Sequence, residues 1–255
     1  MSRSSFLSHS WGSRQKSTCR QVDLSRIMGY LLVMVMEKQQ KRKAGRPSNP
    51  VSKKRIVDIA TTAFAEAGYA AASLSQIADQ IGLRKASLYH HFPTKKSLYS
   101  AVIERILEDI RKLVIEAQLD KGDYIERFTR ANSLTVEYLA SQKDAARLLL
   151  FEVMGEGTYV RGDGGEQVQT TLSAIVYFLE TGIEAGIYRQ QDSKHLALTL
   201  AGIHLCYFAI ARASSDLLGA DVFTKEMIEQ RKAAVIEQTR ALCVKEEYAN
   251  TLDAG

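Results

Sequence analysis

The chain has 255 residues, with 34 Lys and Arg against 29 Asp and Glu and a formal net charge of +5. Its 45% hydrophobic and 25% charged content is that of a globular protein and excludes a collagen-like, a largely disordered or a disulfide-scaffold chain. Three dispersed cysteines, Cys19, Cys206 and Cys243, with no CxxC or Cys/His cluster, suit a reducing cytoplasm and argue against a structural zinc site; neither a metal nor a cofactor is expected.

The charge is unevenly distributed. Residues 1–36 carry +4, residues 37–96 carry +8, and residues 97–255 carry −7. A basic third joined to an acidic remainder points to one part that meets a polyanion and another that does not. The prolines are also lopsided: Pro47, Pro50 and Pro93 are followed by 162 residues without one, which permits helix throughout.

Residues 1–26 are rich in Ser, Arg and Gln and read as a disordered leader. The apolar run Ile27–Met36 has ten residues, half of the roughly 20 that a membrane span needs, and no membrane association is expected. Three readings stay open for it: an extra packed element, a membrane-surface anchor, or a leader that is not translated, with synthesis starting at Met34 or Met36. Residues 38–47, KQQKRKAGRP, form a basic arm. Its extended Gly45-Arg46-Pro47 core would let Arg46, with Lys41, Arg42 and Lys43, lie in a minor groove.

Asn49-Pro50 suits an N-cap and first helical position. Ile56, Ile59, Ala60, Ala63, Phe64 and Ala67 recur at helical spacing, and Gly68 ends that helix. Ser73 with Gln76 three residues on is a capping-box pattern opening a second helix whose apolar face is Ile77, Ala78 and Ile81. Gly82 follows where a left-handed turn residue is needed, and Leu83, Leu88 and Phe92 supply the buried side of a third, short helix. A small residue at the crossing, a glycine four residues later and a leucine six beyond that make up a helix-turn-helix pattern, in which the first helix braces and the second enters the major groove.

The run SLSQIADQIGLRKASLYHHFPTKKSLYSAVI, residues 73–103, resembles the signature of the TetR/AcrR family of transcriptional regulators, above all in Leu88-Tyr89-His90-His91-Phe92 and Lys95-x-x-Leu98; the close match runs from about Ile56 to Ile103. The resemblance implies an all-α fold: a three-helix DNA-binding head over residues 50–97, behind a leader (1–36) and arm (37–49), and a helical regulatory and dimerisation domain over 98–255. It places Lys85, Ser87 and His90 where recognition-helix side chains reach base edges, Tyr89, His91 and Lys95 where phosphates are held, and Ser75 and Gln76 near the backbone or groove edge. Arg84 stands where the family usually has a capping Ser or Thr; it gives up a cap worth about 1 kcal/mol and adds a base- or phosphate-reading group.

Beyond the head, Thr94 can cap a helix with the stripe Leu98, Val102, Ile106, Ile110, Leu113 and Ala117. Tyr124–Ser141, Asp144–Met154, Gln167–Ala185, His195–Ala213 and Thr224–Lys245 read as further helices, the fourth so apolar all round that it should be buried. The glycine-rich stretch 155–165 lacks a phosphate-loop ending and reads as a mobile surface loop. The family resemblance puts a homodimer interface near 166–186 and 193–213 and an inducer pocket in this domain. Polar groups set in apolar helical stretches are its candidate liners: Asn132, Tyr138, Tyr177, His204, Cys206 and Tyr207. No nucleophile–base set or carboxylate dyad stands out in 97–255, so no enzyme is expected. The expected partners are double-stranded DNA, a second copy and a small-molecule inducer. The alternative is an architectural protein that binds DNA without a ligand.

Overall fold

The computed structural model describes residues 51–154, 159–162 and 164–249. The leader, the arm residues Lys41, Arg42, Lys43 and Arg46, and the Asn49-Pro50 cap lie outside the described residues. The helix expected after that cap is capped instead by Ser52, whose extended backbone lets its hydroxyl accept the Arg55 N–H at 3.2 Å. This helix, α1 (Lys53–Ala71), keeps regular geometry until Gly68, where φ of +74° turns the chain. Its buried side is Ile56, Val57, Ala60, Phe64 and Ala65; Ile59 and Ala63 are half-buried and Ala67 is exposed.

Ser73 caps α2 (Leu74–Ile81) and Gly82, with φ +76° and ψ +27°, closes it in the left-handed conformation. Three residues later begins α3 (Lys85–His91). Leu88 is fully buried and Phe92 nearly so, and they fix α3 on the floor made by Ile77, Ala78 and Ile81. The full reciprocal capping box occurs one helix later: Thr94 and Ser97 exchange side-chain and backbone bonds at the start of α4 (Lys95–Leu119).

Helix α4 is about 37 Å long at 1.5 Å per residue. Its first half belongs to the head, where Tyr99 packs edge-on to Phe64 at 4.9 Å, and its second half, Val114, Ile115 and Ala117, belongs to the body. Leu113, expected on the buried stripe, is half-buried, because 3.6 residues per turn carries the buried face on to Val114.

The body adds α5 (Tyr124–Ser141), α6 (Ala145–Val153), α7 (Gly165–Glu184), α8 (Ser193–Ala209), α9 (Ala211–Leu218), α10 (Lys225–Cys243) and the short α11 (Glu246–Ala249). Helix α7 lies along α4, α10 along α5, and α8 between α6 and α7. Helix α6 also touches α1 and α4, so it links the body to the head. The fold among the described residues is all-α, with one isolated bridge between Tyr188 and Val244.

Two expectations for the body are corrected. The helix anticipated over His195–Ala213 breaks at Ile210, where α8 and α9 meet at 77° and Ser214 Oγ bonds the Tyr207 carbonyl at 2.9 Å. Nor is it buried all round: His195, Leu198, Thr199, Gly202 and Cys206 are exposed along one face. The glycine-rich stretch, partly outside the described residues, is not wholly a surface loop. Tyr159 is buried, and Glu152 holds its N–H at 3.2 Å and that of Val160 at 3.0 Å. No single helix among the described residues is long and apolar enough to cross a membrane.

Candidate nucleic-acid interface and body cavity

The surface of α3 follows from its short length. With Leu88 turned fully inward, Arg84, Lys85, Ala86, Tyr89 and His90 are exposed and Ser87 and His91 are half-exposed. Arg84 occupies the N-cap with extended backbone and makes no side-chain cap bond, so its guanidinium is available outward. The Lys85 ammonium lies 5.9 Å from the Tyr89 ring one turn on. This puts Arg84, Lys85, Ser87, Tyr89 and His90 on one small helix supported from behind, beside the N-terminus of α2 with Ser75 and Gln76. Unsatisfied N–H groups and the dipole at that end favour an anion such as phosphate. Lys95 is engaged within the chain: it donates to the Ala70 carbonyl at 2.8 Å and stands 5.1 Å from the Tyr69 ring. It therefore ties α4 to the end of α1 beside the recognition surface.

The candidate pocket residues separate. Asn132 and His204 come together: Nε2 of His204 lies 3.0 Å from Oδ1 of Asn132, both side chains buried. They line a cavity of about 70 Å³ between α4, α5, α7 and α8, whose other walls include Val114, Phe128, Phe178 and Leu200. Burial, followed by the positive charge of Arg231, pulls the imidazole pKa down from 6.5 to about 4, so His204 is neutral at physiological pH. Tyr138, Tyr177, Cys206 and Tyr207 do not line this cavity. Tyr138 points its hydroxyl to Asp109 at 3.4 Å, and Tyr207 lies 4.3 Å under the Arg231 guanidinium.

Two features escape sequence reading. Arg231 sits in a charged helical stretch with nothing to mark it, yet it is partly buried, donates to the Ile203 carbonyl and biases His204. A second, open cleft of about 490 Å³ lies at the α8–α9 bend, lined by Phe208 and Phe223 and by charges of both signs, Lys143, Arg147 and Arg212 with Asp144 and Asp216. It borders the break at Ile210, which the apolar pattern gives no reason to expect.

Large exposed apolar side chains are spread over several elements: Tyr89 of α3, Leu119 at the end of α4, Phe151 and Val153 of α6 with Met154 beyond it, Ile210, Leu217 (87% exposed) and Leu218 at α9, Leu242 of α10, and Leu198 (58%) on the exposed face of α8. Gly202 lies mid-helix on that face, and a Cβ there would meet open space.

Comparison with known proteins agrees with this architecture. Residues 56–102 match the family model for bacterial regulatory proteins of the tetR family, and residues 125–238 match that for a tetracyclin repressor-like C-terminal domain. The chain is 24% identical over 202 residues to the HTH-type transcriptional regulator RutR of Escherichia coli O157:H7, covering 77% of this chain and 95% of RutR. It is 36% identical over 72 residues to the biofilm operon icaADBC negative transcriptional regulator IcaR of Staphylococcus aureus, a stretch that covers 28% of this chain and 38% of IcaR. Among solved structures it is similar to AibR in complex with isovaleryl coenzyme A and operator DNA, with TM-score 0.58, 16% identity, and coverage of 73% and 96% of the two chains. The fold, the two matched domains and the full-length relative together place the chain in the TetR family of DNA-binding transcriptional regulators.

Proposed function

We propose that the chain is a non-enzymatic, cytoplasmic, dimeric repressor that reads a palindromic operator with α3 and is released from it by a small molecule held in the body. The observation that carries the reading is the surface of α3: six side chains able to contact DNA on a seven-residue helix and its cap, anchored from behind by Leu88 and Phe92. Arg84, Lys85, Ser87 and His90 are assigned to base edges, and Ser75, Tyr89, His91 and Lys95 to phosphates. Lys41, Arg42, Lys43 and Arg46 would follow the minor groove.

One such helix reads few bases, so two copies are needed for a specific site. The dimer surface is assigned to α7 and α8, residues 166–186 and 193–213, where Leu198 stands 58% exposed on the outer face of α8. A mid-helix glycine costs roughly 1 kcal/mol against alanine. Close approach of a partner helix at Gly202 would account for it.

Ligand occupancy would reach the DNA through α8 and α6. His204 is on α8, α8 packs on α6, and α6 packs on α1 of the head. A coupling of about 1–3 kcal/mol lowers operator affinity roughly 5- to 150-fold. AibR, of similar fold, is solved in complex with isovaleryl coenzyme A and operator DNA, which supports a small molecule and DNA as the two kinds of partner.

Competition binding on purified operator variants tests the assignment. Lys85→Ala should change which bases are preferred, and Lys95→Ala should weaken all DNA about equally. Equal, sequence-blind losses from both variants would instead favour the architectural alternative.

A further inference from the structure

Of the two hollows described above, the cleft at the α8–α9 bend is the one of ligand size. Small-molecule sites enclose about 300–1,000 Å³. The cleft has about 490 Å³ and the cavity at His204 about 70 Å³. Phe208, which lines the cleft, is two residues and so about 200° round α8 from the exposed Cys206. It is therefore on the side turned away from the exposed face of α8 that carries Leu198 and Cys206.

The wall carries five charges. Lys143, Arg147 and Arg212 are positive; Asp144 and Asp216 are negative. Arg147 and Asp144 offset each other, Nη2 to Oδ1 at 3.6 Å. Lys143, Arg212 and Asp216 remain, all exposed. They leave one net positive charge in a domain, residues 97–255, that sums to −7. The Lys143 ammonium stands 4.7 Å from the Phe223 ring centre, so a positive charge and an apolar surface lie side by side. Phe223 is half-buried and backed by buried Phe208, ring centres 5.9 Å apart. Ile210, 48% exposed, also lines the cleft.

This combination sorts ligands by charge. Partly exposed ion pairs are individually weak, so affinity has to come from apolar contact, and the charges decide which apolar molecules are preferred. An uncharged one gains nothing from Lys143 and Arg212. An anion of several charges meets Asp216 and exceeds the single net charge of the wall. A monoanion with an apolar body suits both features. We propose that the cleft binds a small organic monocarboxylate with a flat apolar body, its carboxylate taken by Lys143 and Arg212 and its body laid on Ile210 and Phe223. The assignment deepens the inducer reading above. It rests on that reading for the effect on DNA, which would pass through α6, the helix that carries Arg147 and packs on α1 of the head.

2-Naphthoate and 2-naphthamide, alike in shape and different in charge, are the probes. Calorimetric titration of the full-length protein at pH 7 and low salt should find naphthoate bound about fivefold tighter than the amide, the upper range for a partly exposed charge pair. Added salt should erase the difference. Lys143→Gln combined with Arg212→Gln should remove the preference and leave amide binding unchanged, and Asp216→Asn should tighten naphthoate alone. All three positions are exposed, and circular dichroism checks that the variants stay folded. No saturable binding of naphthoate, equal affinities for the two probes, or an Asp216→Asn that weakens naphthoate would each overturn the proposal. If naphthoate binds with this pattern but operator affinity does not change, the inducer reading fails and the cleft assignment stands.

Discussion

Acidification should destabilise this protein through one residue. Burial holds the His204 pKa at about 4, against 6.5 in an unfolded chain. The sign follows from which state takes up the proton. Between these two values the unfolded chain is protonated and the folded chain refuses the proton, so stability falls as pH drops from about 6.5 to 4 and is regained as pH rises. At 1.36 kcal/mol per pKa unit the whole effect is about 3 kcal/mol, of which about 2 kcal/mol is lost between pH 7 and pH 5. Carboxylates also titrate towards the acid end, so the informative quantity is the difference from a His204→Gln variant. Urea unfolding followed by circular dichroism, at one fixed protein concentration because a dimer's stability depends on it, gives both curves. The variant should be less stable than the parent at pH 7 and should gain on it by about 2 kcal/mol by pH 5. Parallel curves would show that His204 titrates normally, and the reasoning from its burial and from Arg231 would fail.

Other substitutions probe the remaining links. Arg84→Ser restores a capping hydroxyl at the start of α3 and should raise stability by about 0.5–1 kcal/mol while weakening operator binding; loss of both stability and binding would contradict the uncapped N-cap in the structure. Gly82→Ala meets no steric contact but forces a left-handed backbone on a Cβ-bearing residue, so it should cost about 1–2 kcal/mol in thermal unfolding and misplace α3, with Gly82→Asn tolerated better. Gly182→Ala drives a Cβ into the Tyr188 ring, whose hydroxyl is held by the Tyr124 carbonyl at 2.8 Å, and should destabilise the body by about 1–3 kcal/mol; a neutral result would mean that the ring relaxes freely. Leu198→Glu should convert the dimer to monomer in sedimentation velocity without unfolding it, since Leu198 is more than half exposed within one chain.

The head was legible in the sequence because its signals are local. Ser73, Gly82 and Thr94 punctuate the helices through side-chain and backbone chemistry that acts within four residues, and Ala78 and Leu88 announce the crossing. The first cap was misplaced because Asn49-Pro50 and Ser52 both satisfy the same local rule. The segment Tyr124–Ser141 has the ends its sequence suggests, and the structure shows Asp123 and Glu126 forming a capping box at its start. The body's third dimension was much less legible. The break at Ile210 depends on Ser214 reaching back seven residues to Tyr207, which hydropathy does not encode. Asn132 and His204 stood out as polar groups in apolar helices, but nothing in their spacing says that they meet across 72 positions while Tyr138, Tyr177 and Tyr207 face elsewhere. Exposure of Leu198, Leu217 and Leu242 is likewise a tertiary property: an apolar residue in sequence looks the same whether its own chain or a second copy is to cover it.

In a dimer, two copies of α3 would read two halves of one site. Sites selected from a random duplex pool by the purified full-length protein, followed by hydroxyl-radical footprinting, test it most directly. A two-fold symmetric consensus is expected, with protected half-sites centred on major grooves a whole number of helical turns apart. Lys85→Ala should alter the bases selected within each half and leave their spacing intact. A selected site without symmetry, or continuous protection along any duplex offered, would contradict the account.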